Sequence, residues 1–178
     1  TKDIIVTTAG SEAVTFAMMV AANEGDEIIV PEPFYTNYNG FATMASIKLK
    51  AITTYAENGF ALPDDAAFEA LITPKTKAIM LCNPGNPTGA VYSKEELFRV
   101  AEICKKHDLF MISDEVYREF IYDGLSHTSV LQIPGFEEHA IMVDSVSKRY
   151  SACGARIGCI VSRNNELMNA TLKFACAN

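Results

Sequence analysis

No stretch of this sequence is long and apolar enough to span a bilayer. Nor is positive charge in surplus. Fifteen lysines and arginines stand against 22 aspartates and glutamates, a net charge of −7. That balance offers no basic face to nucleic acid or to an anionic membrane. The three histidines, His107, His127 and His139, lack metal-ligand spacing, so no metal site is expected. The five cysteines (Cys82, Cys104, Cys153, Cys159 and Cys176) are odd in number, and no pair has Cys-x-x-Cys spacing. This fits reduced thiols in a cytoplasmic protein rather than a disulfide framework. There is no internal repeat, low-complexity tract or linker. The first residues, Thr1-Lys-Asp-Ile-Ile-Val6, carry neither an initiator methionine nor the character of a signal peptide. The last residues stop inside a helical pattern without a stop signal. Both ends therefore read as cuts in a longer protein.

What is present is an alternation of apolar runs and helical patterns. The 178 residues are 49% hydrophobic and 21% charged, enough for one α/β domain with a sizeable core. Strands are expected at Ile4–Thr7, Glu27–Val30, Ile47–Ile52, Lys77–Cys82, Phe110–Asp114 and Ala140–Val143. Helices are expected after Ser11 as cap, over Tyr38–Ser46, from Asp64 through Leu71, and after the capping box Ser93-Lys-Glu-Glu96. The prolines of Pro31-Glu-Pro33 are expected to stop sheet pairing there. Strands alternating with helices imply a mainly parallel sheet covered on both faces by right-handed crossovers.

Five places carry residues suited to a ligand, and all fall at or just past the C-terminal end of an expected strand. Ala9-Gly10-Ser11 opens a helix, where backbone N–H groups make an anion site or simply a cap. Tyr35 follows the second strand, as a stacking aromatic or as the apolar lid of a helix start. Asn83-Pro-Gly-Asn-Pro-Thr-Gly89 is a rigid loop that holds Asn86 as a fixed amide donor. Asp114, with Tyr117 three residues on, ends a core strand as a ligand group, a cap or an ion pair. Last is Asp144-Ser-Val-Ser-Lys-Arg-Tyr-Ser-Ala-Cys-Gly-Ala-Arg-Ile-Gly158. It places Lys148 just beyond a buried strand, where partial desolvation favours the neutral, nucleophilic amine. Ser145, Ser147 and Arg156 around it suit a phosphate. A surface lysine and arginine in an ordinary loop are the alternative. Five groups on one rim of a sheet favour the ligand reading over chance placement.

The combination of Asn83-Pro-Gly-Asn-Pro-Thr-Gly89, Ser113-Asp-Glu-Val-Tyr117 and Ser145-Val-Ser-Lys148 with Arg156 resembles the class I/II aminotransferases. These are pyridoxal phosphate enzymes of fold type I, of the aspartate aminotransferase kind. The resemblance runs over essentially the whole chain. It implies a three-layer α/β/α sandwich with a mainly parallel mixed sheet, and it makes residues 1–178 the cofactor-binding large domain. The N-terminal segment and the C-terminal small domain would be missing.

By the same resemblance Lys148 is the Schiff-base lysine, and Asp114 partners the pyridine nitrogen. Tyr117 and Asn86 donate to the phenolic oxygen, and Tyr35 stacks on the ring. Ala9, Gly10, Ser11, Ser145 and Arg156 hold the phosphate, with Ser147 a more distant candidate. The implied partners are an amino acid and a 2-oxo acid, with a second copy of the protein as a homodimer. The arginine for the substrate carboxylate would lie outside this chain, so the chain alone is expected to be nearly inactive. Two alternatives share these residues. One is another pyridoxal phosphate reaction on the same scaffold, such as β-elimination (a C–S lyase) or decarboxylation. The other is a cofactor-binding sensor domain of a transcription regulator.

Overall fold

In the computed structural model, which describes residues 2–177, seven strands form one sheet. They are β1 (Ile4–Thr8), β2 (Glu27–Glu32), β3 (Lys48–Thr53), β4 (Thr76–Cys82), β5 (Phe110–Asp114), β6 (Ala140–Ser145) and β7 (Ile157–Val161). The helices are α1 (Ala9–Ala21), α2 (Asn37–Met44), α3 (Asp65–Glu69), α4 (Lys94–Lys106), α5 (Val146–Arg149) and α6 (Asn165–Ala177). The order across the sheet is β1-β7-β6-β5-β4-β2-β3. Strands β3, β2, β4, β5 and β6 pair in parallel, while β7 runs antiparallel to both of its neighbours. The sheet is therefore mixed and mainly parallel, and the chain has the expected α/β architecture.

Alternation along the central strands builds the three layers. In β4, Ala78 and Met80 pack with α1, α2 and α6, while Ile79 and Leu81 pack with α3 and α4. In β5, Ile112 belongs to the first cluster and Met111 to the second; in β6, Ile141 and Val143 face one way, Ala140 and Met142 the other. Strands covered on both faces need apolar residues at every position, and this is why these segments read as continuous runs. Each such aliphatic side chain taken out of water contributes about 1.5–3 kcal/mol. Among the described residues no helix is long and apolar enough to cross a membrane.

Several local expectations are corrected. Helix α1 starts at Ala9, directly after β1, and Ser11 does not cap it. The capping residue is Thr8, whose N–H donates to Glu12 Oε2 at 2.6 Å. Ser11 is thereby left in the exposed first turn. Pro31 does not end β2, which pairs with β3 through Glu32. The ladder to β4 covers only Glu27–Ile29, so a missing N–H at Pro31 disrupts nothing on that flank. Helix α2 ends at Met44 rather than Ser46. The helix that Asp64 caps, through Ala67 N–H at 2.9 Å, ends at Glu69 rather than Leu71. Gly158 lies within β7, a strand not among those expected from the sequence. Its lack of a Cβ is required because a Cβ would run into the backbone of Ala9 and Gly10. The capping box of α4 is present as expected, and Glu96 also accepts from Leu62 N–H at 2.8 Å.

Candidate active site

One cleft of about 230 Å³ lies on the rim where β1, β4, β5 and β6 end and β7 begins. All eleven residues singled out in the sequence line it: Ala9, Gly10, Ser11, Tyr35, Asn86, Asp114, Tyr117, Ser145, Ser147, Lys148 and Arg156.

The reversed strand β7 closes one end of the cleft. Ala9 N–H donates to the Arg156 carbonyl at 3.0 Å, which ties the start of α1 to the entry of β7. Both residues hold a positive φ, 63° for Ala9 and 52° for Arg156. A non-glycine residue there is strained, and such strain clusters at binding sites. Arg156 Nη1 donates to the Cys153 carbonyl at 2.9 Å. Ser145 is buried, and its hydroxyl caps α5 by accepting from Ser147 N–H at 3.1 Å. It also lies 2.9 Å from the Ile157 carbonyl and 2.8 Å from Ser147 Oγ. The first turn of α1, two serines and an arginine thus meet at one end of the cleft, a set suited to a phosphate.

The floor is acidic. Asp114 is buried, and its Oδ2 accepts from the Tyr38 hydroxyl at 2.6 Å while Oδ1 accepts from Val116 N–H at 3.3 Å. Burial pushes the Asp114 carboxyl above the usual range, and the two donors oppose that rise. Tyr38, fully buried, is pushed well above the ordinary phenol range by burial and then by the Asp114 charge. Burial also raises the Cys82 thiol beside them, so it stays protonated. Tyr38 was not anticipated, although it sits three residues after Tyr35, in the first turn of α2. The rings of Tyr35 and Tyr38 meet edge to face at 5.4 Å, and the Asn37 amide donates to the Tyr35 hydroxyl at 2.8 Å. Cys82, Val116 and Cys153 also line the cleft without having been singled out. Nothing in their sequence positions separates them from ordinary packing residues.

Lys148 departs from expectation. It is exposed rather than desolvated, because it stands on the short helix α5, which projects beyond the sheet. Its Nζ lies 5.6 Å from the centre of the Tyr117 ring, a cation–π approach. The neighbouring Arg149 turns away to pair with the buried Asp144 carboxylate, which also meets Arg118 at 3.1 Å. These pairs fix α5 and leave Lys148, unlike Arg149, at the cleft. Asn86 is held by a loop closed on itself: Gly85 N–H donates to Ala90 O and Gly89 N–H to Gly85 O, both at 2.8 Å. Inside that loop Asn83 Oδ1 accepts from Tyr92 N–H at 3.0 Å.

A flat aromatic ring carrying an anionic group fits this donor set. Cations and the start of α1 lie at one end, a buried carboxylate forms the floor, and aromatic rings and an amide line the sides. Residues 1–176 match the family model described as aminotransferase class I and II, and the chain belongs to that family. It is 41% identical to the YugH protein of Bacillus subtilis over 173 residues, 97% of this chain and 44% of that protein. It is 34% identical to the aspartate aminotransferase of Pyrococcus abyssi over 177 residues, 99% of this chain and 45% of that protein. The solved structure of the aromatic aminotransferase from Pyrococcus horikoshii superposes with a TM-score of 0.92 at 32% identity, covering 99% of this chain and 46% of that one. The chain spans under half the length of the curated relatives it matches.

Proposed function

We propose that this chain carries the pyridoxal phosphate site of an amino-acid transaminase, acting on an aspartate-like amino acid and a 2-oxo acid. The observation that carries the reading is the meeting of Lys148, Asp114 and the phosphate-type set of Ser11, Ser145 and Arg156 in a single cleft. When bound, the cofactor supplies an aldehyde for amines and a ring that takes up the electrons left when a proton departs from Cα. The chain's own residues do the rest. The first turn of α1, Ser11, Ser145 and Arg156 bind the phosphate and anchor one end, with Ser147 orienting the Ser145 hydroxyl. Asp114 anchors the other end by accepting from the ring nitrogen and keeping it protonated. Tyr35 packs on the ring face, and Asn86 and Tyr117 donate to the phenolic oxygen. Anchoring both ends orients the bond to be broken. Lys148 Nζ would move the proton between the substrate Cα and the cofactor's aldehyde carbon.

The test is borohydride reduction of the full-length protein with pyridoxal phosphate, followed by peptide mass mapping. The expected result is a phosphopyridoxyl adduct confined to Lys148. Adducts spread over many lysines with none preferred would sink the assignment. Amino-group transfer to a 2-oxo acid should follow in the full-length protein, expected to be a homodimer. Residues 1–178 alone should show little or no turnover.

A further inference from the structure

Helix α5 has little of its own to hold it in place. It is a single turn, Val146–Arg149, and none of its residues belongs to the buried core. One turn of helix is marginal without contacts from outside it. Any tilt of that turn moves Lys148. Its start is fixed by the Ser145 cap. Its end is fixed by Arg149, which reaches two acids at once: Nη2 pairs with Asp144 Oδ2, and Nη1 lies 3.5 Å from Glu119 Oε1. Arg118 meets the same two acids, with Nη2 at 3.1 Å from Asp144 Oδ2 and Nε at 3.7 Å from Glu119 Oε1. The four side chains close a ring in which each has two partners of opposite charge.

The inner half of this ring is dry. The side chains of Arg149 and Asp144 are 10% and 9% exposed, so the pair between them is little screened. Asp144 Oδ1 stays outside the ring and accepts from Ser145 N–H at 2.7 Å. The placement of the ring gives it a task. Arg118 follows Tyr117 in the chain, Arg149 follows Lys148, and Asp144 precedes Ser145. The ring therefore joins the segment after β5 to the segment after β6 through the immediate neighbours of cleft residues. On the cleft side of that junction Lys148 Nζ stands 5.6 Å from the centre of the Tyr117 ring. Two cations and two anions leave the ring neutral, so it can fix Lys148 without adding net charge beside the amine.

We propose that Arg149 is a positioning residue for Lys148: by bridging Asp144 and Glu119 it locks α5 against the segment that carries Tyr117, and so sets where the Lys148 amine stands in the cleft. This rests on the cofactor reading above. The planar fork of a guanidinium spans two carboxylates, whereas the ammonium of a lysine is a single point of charge. When Arg149 is replaced, Arg118 and the Ser145 N–H still hold Asp144. Tyr117 and Ser145 keep their anchor, and only the end of α5 is released. The loss should therefore fall on the chemistry of Lys148 and spare the rest of the cleft.

The experiment uses the full-length protein and two readouts. Pyridoxamine phosphate has no aldehyde, so its affinity reports the cleft without Lys148 chemistry. The rate at which Lys148 takes up pyridoxal phosphate, quenched with borohydride at intervals and read by peptide mass mapping, reports where the amine stands. Arg149→Gln should slow that uptake about tenfold, within what a displacement of about 1 Å costs, and leave pyridoxamine phosphate affinity within about twofold of wild type. Arg149→Lys keeps a charge on Asp144 but gives up the second arm, so uptake should slow about threefold. Cooperative thermal unfolding checks that each variant is folded, and Arg149→Lys carries the test if Arg149→Gln does not fold. Two results would overturn this inference alone, provided Arg156→Ala still weakens pyridoxamine phosphate binding. One is uptake equal to wild type in the folded variants. The other is slowed uptake matched by an equal loss of pyridoxamine phosphate affinity, which a merely structural role would give. Wild-type protein with no preferred label on Lys148 and with binding indifferent to Arg156→Ala would overturn the cofactor reading and this inference with it.

Discussion

Asp114 is kept where a carboxylate is least comfortable. Burial raises its carboxyl, and the Tyr38 hydroxyl restrains the rise. Two outcomes follow from the sign. A buried acid raised above its unfolded value destabilises the fold once pH exceeds that unfolded value, and the deficit is complete above the folded value. Asp114→Asn should therefore leave the cofactor-free protein as stable as wild type or more so at neutral pH, read as a urea midpoint, while pyridoxal phosphate binding collapses. A lower midpoint would mean that the carboxylate is a structural asset rather than a functional burden. Tyr38→Phe removes the restraint, so Asp114 should hold its proton to higher pH. The acid limb of cofactor binding should move upward, with affinity down about tenfold at neutral pH for one charge-assisted bond. Asp114 was legible in the sequence as an acid ending an apolar run. Tyr38 was not, because its partner lies 76 residues away and only the fold brings them together.

At the scale of elements, the meeting of α1 and β7 shapes the anion-binding end. A Cβ on Gly158 would strike the backbone of Ala9 and Gly10, whereas one on Gly10 would meet Ser145 Cβ at 3.5 Å and Val116 Cγ1 at 3.6 Å, ordinary contacts. Gly158→Ala should cost about 1–3 kcal/mol of stability, since backbone must shift to admit it, and should weaken phosphate binding. Gly10→Ala should be close to neutral in a urea titration. Equal effects of the two would contradict this account. The elements read most faithfully from sequence were those with their own local signals: the double-sided apolar runs of β4 and β5 and the Ser93 capping box. Misreadings fell where distant contacts decide. Thr8 replaced Ser11 as cap because Glu12 reaches back to it. Strand β7 was hidden because its glycine answers to a helix far off in sequence. Lys148 is exposed because α5 lifts it past the sheet rim, which an apolar run ending at Val143 does not disclose.

For the molecule as a whole, the α/β architecture was legible in the sequence, and so was the gathering of the candidate residues on one rim. All the candidate residues but Arg156, which precedes β7, lie at or just past strand ends, and parallel strands bring their C-terminal ends to one rim whatever the exact connections. What stayed hidden was the direction of β7 and the depth of each group, both properties of the assembled sheet.

The reversed strand also sets a timetable. Among the described residues β1 pairs only with β7, so β1 has no partner until β7, after every other strand of this sheet, has followed. Contacts this remote in sequence are the slowest to close. The central strands β4, β5 and β6 can assemble while β1 is still waiting, and the anion-binding end is then the last part to mature. In a pulse-labelling hydrogen-exchange experiment during refolding, amides of β4 and β5 should gain protection before those of β1 and β7. Simultaneous protection of all four would show instead that the sheet closes in one step. On the cofactor reading proposed above, a nascent chain on this timetable would take up pyridoxal phosphate late, and a stall before residue 157 would leave a core already folded and an incomplete cleft.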